Sequence, residues 1–170
     1  MNNVQGSPHL EALADTLWAE RRVVEVLLFK LVTAKLVLEA SERRFVTLAM
    51  DEVQHMLGTL RSSEVQRSAA LEPVAAAWGC PPDDLTLSEL ANRSPSPMDA
   101  VFRDHHEAFL EMAVEIEETA RTNSRLASAS LTDVRSTLDA LTGPPLASTY
   151  TAAGTHDTPV ARPVRLDEVL

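Results

Sequence analysis

The chain of 170 residues is 45% hydrophobic but only 4% aromatic and holds five glycines, so it can bury one sizeable core and its palette suits long helices rather than a β-sandwich. Its formal net charge of −10 repels a phosphate backbone or an anionic membrane, and no Lys/Arg stripe offsets it locally, which argues against nucleic acid as a partner. A single cysteine, Cys80, forms no internal disulfide, the amino terminus lacks a signal-peptide pattern, and the longest apolar runs are broken by charge, so the expected setting is cytoplasmic without membrane insertion.

Ser7 and Pro8 read as a helix start, an N-cap followed by proline at the first helical position. From His9 to Leu38 the residues Leu10, Leu17, Val24, Leu31 and Leu38 recur every seven positions. Leu13, Leu27 and Ala34 form the companion row, with Glu20 as its exception. Leu28, Phe29 and Val32 widen the apolar face, which suits packing against two neighbours. The segment EASERRF reads as a break, with Ser41 capping a second helix. There Val46, Val53, Leu60 and Val74 are interrupted by Arg67, and Met50, Leu57, Leu71 and Trp78 by Glu64. Pro73 is expected to kink its last turns. Folding the two helices back about residues 41–42 sets Glu20 and Arg21 opposite Glu64 and Arg67, a charged layer that would fix register.

Trp78 and Gly79 end the second helix, because glycine takes the left-handed C′ conformation and the prolines that follow cannot continue it. Thr86 and Glu89 make a capping box for a two-turn helix, LSELANR, with Leu85, Leu87 and Leu90 docking on the end of the hairpin. Ser96 and Pro97 then start a final helix, with Asp99 near the positive end of its dipole. Ending at Leu141 or Thr142, before Gly143-Pro144-Pro145, it would be roughly 70 Å long, which outruns a compact core. Its seam begins Met98, Phe102, His105, Phe109, Met112 and Ile116, turns polar at Thr119 and Asn123, and touches Leu126. It resumes through Ala127 with Leu131, Val134, Leu138 and Leu141, offset by about one position so that the stripe rotates. From Gly143 onward Pro, Thr, Ala and Gly dominate without periodicity, and a disordered C-terminal tail is expected.

The fold class is therefore all-α. A long antiparallel helical hairpin, a short helix and a long third helix form an elongated, coiled-coil-like three-helix bundle. A disordered N-terminus over 1–8, a helical domain over 9–143 and a flexible tail over 144–170 are the expected divisions.

Chemistry finds little to work with. Glu52 and His55 form one E-x-x-H pair, whereas a di-iron bundle needs a second pair and two further carboxylates, and a surface role fits better. His105 on the seam is expected to be a satisfied, partly buried histidine, and His106 to face solvent. Cys80 sits among prolines and two aspartates, a poor setting for a nucleophile. The carboxylates of EMAVEIEE read as a solvated helix face. Met98, Phe102, Phe109 and Met112 read most simply as core, with a client groove as the alternative. With no phosphate loop and no nucleophile elbow, the expectation is a non-enzyme without metal or cofactor.

The order of parts resembles the FlgN-type flagellar export chaperones, most closely their actinobacterial branch. The likeness is carried by LLFKLVTAKLVLEA at 27–40, GCPPDDLTLSELA at 79–91, TNSRLASASLTDVRSTLDALTG at 122–143 and STYTAAG at 148–154. It departs from the pattern at Ala40-Ser41, where such chaperones commonly have glycine, and at Trp78, usually aliphatic. The resemblance implies a cytosolic chaperone that binds the C-terminal helices of hook-filament junction proteins, prevents their premature assembly and delivers them to the flagellar type III export gate at the membrane. It places client binding along Leu126, Ala127, Ser130, Leu131, Val134, Leu138 and Leu141, and gate docking at Tyr150. Physically, a distal stripe without an equally long partner needs a cover, and an amphipathic client helix is one such cover. Thr119 and Asn123 would then mark the junction of self-packed and client-packed parts. The alternative is a scaffold protein in which self-association or the hairpin covers the stripe, with Asn123 fixing register in a homo-oligomeric coil.

Overall fold

A computed structural model describes residues 7–142 of the chain, and their side chains over 8–141. All regular structure among the described residues is helical: α1 (Ser7–Glu39), α2 (Arg43–Trp78), a 3₁₀ turn (Pro82–Asp84), α3 (Leu87–Arg93) and α4 (Met98–Thr142). The chain divides into two units, 1–133 and 134–170. The first holds α1 to α3 and most of α4, and the described part of the second is the last turns of α4.

Ser41 does not cap α2. It adopts the left-handed conformation at φ 55° and closes α1 instead. The Glu42 amide donates to the Val37 carbonyl at 3.2 Å and the Ser41 amide to the Leu38 carbonyl at 3.1 Å, the paired bonds of a Schellman motif. A serine thus takes the place where glycine is the usual choice, and the N-cap of α2 falls to Glu42, without a side-chain cap bond. Gly79 repeats the motif at the end of α2 as expected, at φ 64°, with Cys80 N–H donating to the Ala75 carbonyl at 3.1 Å. The helix runs on through Pro73 to Trp78. At α3 the Thr86 hydroxyl accepts from the Glu89 amide at 3.1 Å, as the capping box requires. The start of α4 differs from expectation by one residue: it begins at Met98 rather than Pro97, and the amides of Met98 and Asp99 donate to the Pro95 carbonyl rather than to a Ser96 side chain.

α1 and α2 are antiparallel, as the ion pairs Glu20 to Arg67 and Lys30 to Glu52 require. α4 runs parallel to α1, with Trp18 against His105, Arg21 against Asp104 and Leu31 against Asn123. One apolar cluster joins Leu10, Leu13, Leu17, Val74, Leu85, Leu90 and Phe102, so Leu85, after the 3₁₀ turn, and Leu90 of α3 close the end of the hairpin. A second, towards the α1–α2 turn, joins Leu27, Leu31, Ala34 and Val53, with Ile116 of α4 packed on it. At about 25 cal/mol per Å² of apolar surface, burying one such leucine contributes roughly 1.5–3 kcal/mol, so these rows and not helix propensity hold α1 and α2 together.

The expected charged layer is half right. Glu20 is buried and meets Arg67 at 3.5 Å. Arg21 does not face Glu64; it turns to α4, where it bonds Asp104 at 2.8 Å and lies 5.2 Å from the Trp18 ring. One residue along a helix is a rotation of about 100°, enough to send neighbouring side chains to different partner helices.

Candidate functional site

On α4 the core-facing seam is continuous from Met98 to Asn123. Phe102 and His105 are fully buried, and Met98, Phe109, Met112, Ile116 and Thr119 are half-buried, which makes the methionines and phenylalanines core. His105 is not the satisfied histidine expected. Its ring sits edge-on to Trp18 at 4.6 Å and stacks on Phe109 at 6.2 Å, and neither ring nitrogen has a hydrogen-bond partner. Burial, reinforced by the Arg21 guanidinium and opposed by Asp104, holds its pKa below the ordinary histidine value, so the imidazole is neutral at pH 7.

Asn123 is the last buried residue of α4 among the described side chains. Its Nδ2 donates to the main-chain carbonyl of Leu31, in the middle of α1, at 2.9 Å, while its Oδ1 has no partner. The polar residue that interrupts the seam therefore lies inside the self-packed region and fixes the register of α4 on α1 within one chain. Nothing in the sequence spacing identifies a main-chain carbonyl 92 residues away as the partner.

Beyond Asn123 the burial falls away. In the first unit Leu126, Ala127 and Ser130 are half-buried and Leu131 is 63% exposed. In the second, Val134 is half-buried, and Leu138 and Leu141 are 53% and 79% exposed. Tyr150 lies outside the described residues.

Other candidates resolve differently. Glu52 is held by Lys30 at 2.5 Å, and that hydrogen bond and charge lower its pKa, leaving His55 exposed beside a carboxylate already engaged. Among the described residues no group of three His, Cys, Asp or Glu could hold a metal ion. Glu111, Glu115, Glu117 and Glu118 are solvated, as read from EMAVEIEE. His106 is half-buried rather than solvent-facing: with Phe109, Leu110, Arg67, Leu71 and Leu87 it lines a cavity of about 520 Å³ floored by Leu13 and Leu17. Cys80 has a cation that its sequence neighbours did not reveal, since Arg93 donates to its sulfur at 3.7 Å while covering the Trp78 ring at 4.5 Å. No helix among the described residues is long and apolar enough to cross a membrane.

No curated protein and no solved structure matches the chain. The sequence model of one family, FlgN protein, matches residues 1–158, nearly the whole of the chain. With its closed proximal seam, its exposed distal leucines and that match, the chain belongs to the FlgN family of flagellar export chaperones.

Proposed function

We propose that the chain is a cytoplasmic, non-enzymatic export chaperone whose clients are the C-terminal helical segments of hook-filament junction proteins, held until they are delivered to the flagellar type III export gate. The supporting observation is the exposure of Leu131, Leu138 and Leu141 at helical spacing, on a helix whose own seam is completed at Asn123. Exposed leucines at i, i+7 and i+10 are anchors for the apolar face of an amphipathic helix. Half-buried Leu126, Ala127, Ser130 and Val134 flank them, and the two small residues permit close backbone approach. Asn123, which would register a homo-oligomeric coil in the scaffold reading, spends its donor on Leu31 of the same chain, and this favours the chaperone.

The test is co-expression with those client segments and measurement of complex mass by size exclusion with light scattering. A one-to-one complex that is lost in the double variant Leu131→Ser, Leu138→Ser, at unchanged thermal stability, supports the proposal. No complex, or a variant that binds like the parent, overturns it. Export-gate docking through Tyr150 rests on the resemblance alone. Tyr150→Ala should leave client affinity intact and impair secretion, and normal secretion would remove that residue from the docking role.

A further inference from the structure

The proximal part of α4 carries an outward face that neither the core nor the client stripe uses. Residues 104–118 hold six carboxylates, Asp104, Glu107, Glu111, Glu115, Glu117 and Glu118, and no Lys or Arg, which is −6 of the chain's −10. At the two ends of this run the acids are neutralised, Asp104 by Arg21 at 2.8 Å and Glu117 by Arg121 one turn on. In the middle they are not. Glu107, Glu111, Glu115 and Glu118 succeed one another at steps of four, four and three residues, which makes one ridge about 16 Å long, and among the described residues none of the four has an ion-pair partner. Like charges at that spacing destabilise a helix, and the i+4 arginine that answers Asp99 and Glu117 is missing here.

Leu110 and Val114, 56% and 58% exposed, lie one turn apart along the flank of the ridge. Leu110 is the helical neighbour of Glu107, and Val114 that of Glu111 and Glu118. Leu110 also forms part of the wall of the 520 Å³ cavity floored by Leu13 and Leu17. Of the charged groups lining that cavity, Arg67 is already paired with Glu20 at 3.5 Å, and Asp83 adds an acid. A carboxylate ridge, an exposed apolar pair and an apolar-floored cavity thus adjoin one another within the first unit. An apolar strip with one sign of charge along its flank selects a helix by the opposite charge on that helix.

We propose that this face docks an amphipathic helix of a partner protein, whose apolar side covers Leu110 and Val114 with one large side chain in the cavity, and whose flank sets Lys or Arg against the ridge at steps of three and four residues. Charge decides the occupant. A second copy of this chain, an anionic membrane and nucleic acid all bring negative charge to the ridge and are repelled, whereas a basic helix relieves the repulsion among the four carboxylates. A small polycation would match the ridge but has nothing to lay on the apolar pair. The face ends at Glu118, before Asn123 closes the self-packed seam, and the inference stands independently of the client reading.

The test titrates the full chain into a fluorescently labelled Leu/Lys amphipathic peptide of roughly 18 residues, about 27 Å as a helix and so longer than the ridge, and reads anisotropy. A scrambled peptide of the same composition and a Leu/Glu analogue are the controls. The Leu/Lys helix should bind, with an affinity that falls as salt rises, and the Leu/Glu analogue should not. Glu111→Lys with Glu115→Lys, and separately Leu110→Ser with Val114→Ser, should each weaken binding by at least about tenfold. All four positions are exposed, and an unchanged helical circular dichroism spectrum confirms that the fold survives. Leu131→Ser with Leu138→Ser should leave binding unchanged. No binding of the Leu/Lys helix overturns the proposal. So does equal binding of the scrambled peptide, which would reduce the ridge to diffuse charge, binding that survives either double substitution on this face, or binding abolished by the two distal serines instead.

Discussion

Replacing Glu20 by leucine should make the protein more stable. The carboxylate occupies a heptad position between Leu13 and Leu27, is only 3% exposed, and meets one cation, Arg67, at 3.5 Å, without a hydrogen bond to its Oε2. At that distance an effective dielectric of roughly 20 gives an attraction of about 5 kcal/mol. Against it stands a desolvation penalty of several kcal/mol for each ion, and the Arg67 side chain is 42% exposed, so water screens its end of the pair. Burial wins: the Glu20 pKa is raised, with desolvation as the largest cause, Arg67 opposing it and Glu64 adding to it. Exchange of both members of a buried ion pair for apolar packing is commonly neutral or favourable by about 1–4 kcal/mol; Glu20→Leu replaces the buried member alone and leaves the 42%-exposed Arg67 to water, so a gain of about 1 kcal/mol is expected, about 2–4 °C in Tm for a chain of this size. Arg67→Met, by contrast, strands the carboxylate and should be destabilising at pH 7.

The pH dependence has a definite sign. A native carboxyl with a raised pKa binds more protons than the unfolded chain between the ordinary glutamate value and its own, so its contribution to stability falls as pH rises through that window. Urea denaturation of the parent, Glu20→Leu and Arg67→Met at several pH values measures all three. The leucine variant should lose this falling component and the methionine variant should steepen it. If Glu20→Leu is less stable than the parent at pH 7, the attraction of Arg67 exceeds desolvation and the reasoning fails.

His105 has the opposite linkage. Its pKa is lowered in the folded chain, so the unfolded chain takes up more protons as pH falls below the ordinary value of roughly 6.5, and stability is lost on the acid side. His105→Leu should flatten that loss in urea melts taken between about pH 7.5 and about pH 5.5, and an unchanged slope would show that the native imidazole protonates freely. Asn123→Ala removes the bond to the Leu31 carbonyl and should be destabilising by about 1–2 kcal/mol in the same assay. Asn123→Leu should be milder, because it also deletes the unpartnered Oδ1, and equal losses would assign the residue to filling space alone.

The sequence by itself determined the helices, their order and most of their ends. Seven-residue spacing in α1 and α2, the left-handed glycine after Trp78 and the Thr86 cap are local or periodic signals, written within a few turns of chain. The family was legible for the same reason, since its likeness is carried by helical patterns. The distal leucines of α4 were legible as a stripe, and Leu131, Leu138 and Leu141 are exposed.

What only the tertiary structure decided is where single side chains go once helices meet. Arg21 chose Asp104 over Glu64, Asn123 reached a main-chain carbonyl, His105 was shut in without a partner, and Ser41 took a backbone conformation usually left to glycine. A repeat specifies which face of a helix is apolar. It does not specify the rotation and axial shift that bring a given polar atom of one helix against a given atom of another. Those follow from the joint packing of three helices, in which a slip of one heptad, about 10.5 Å, exchanges every polar partner while leaving the apolar rows in contact.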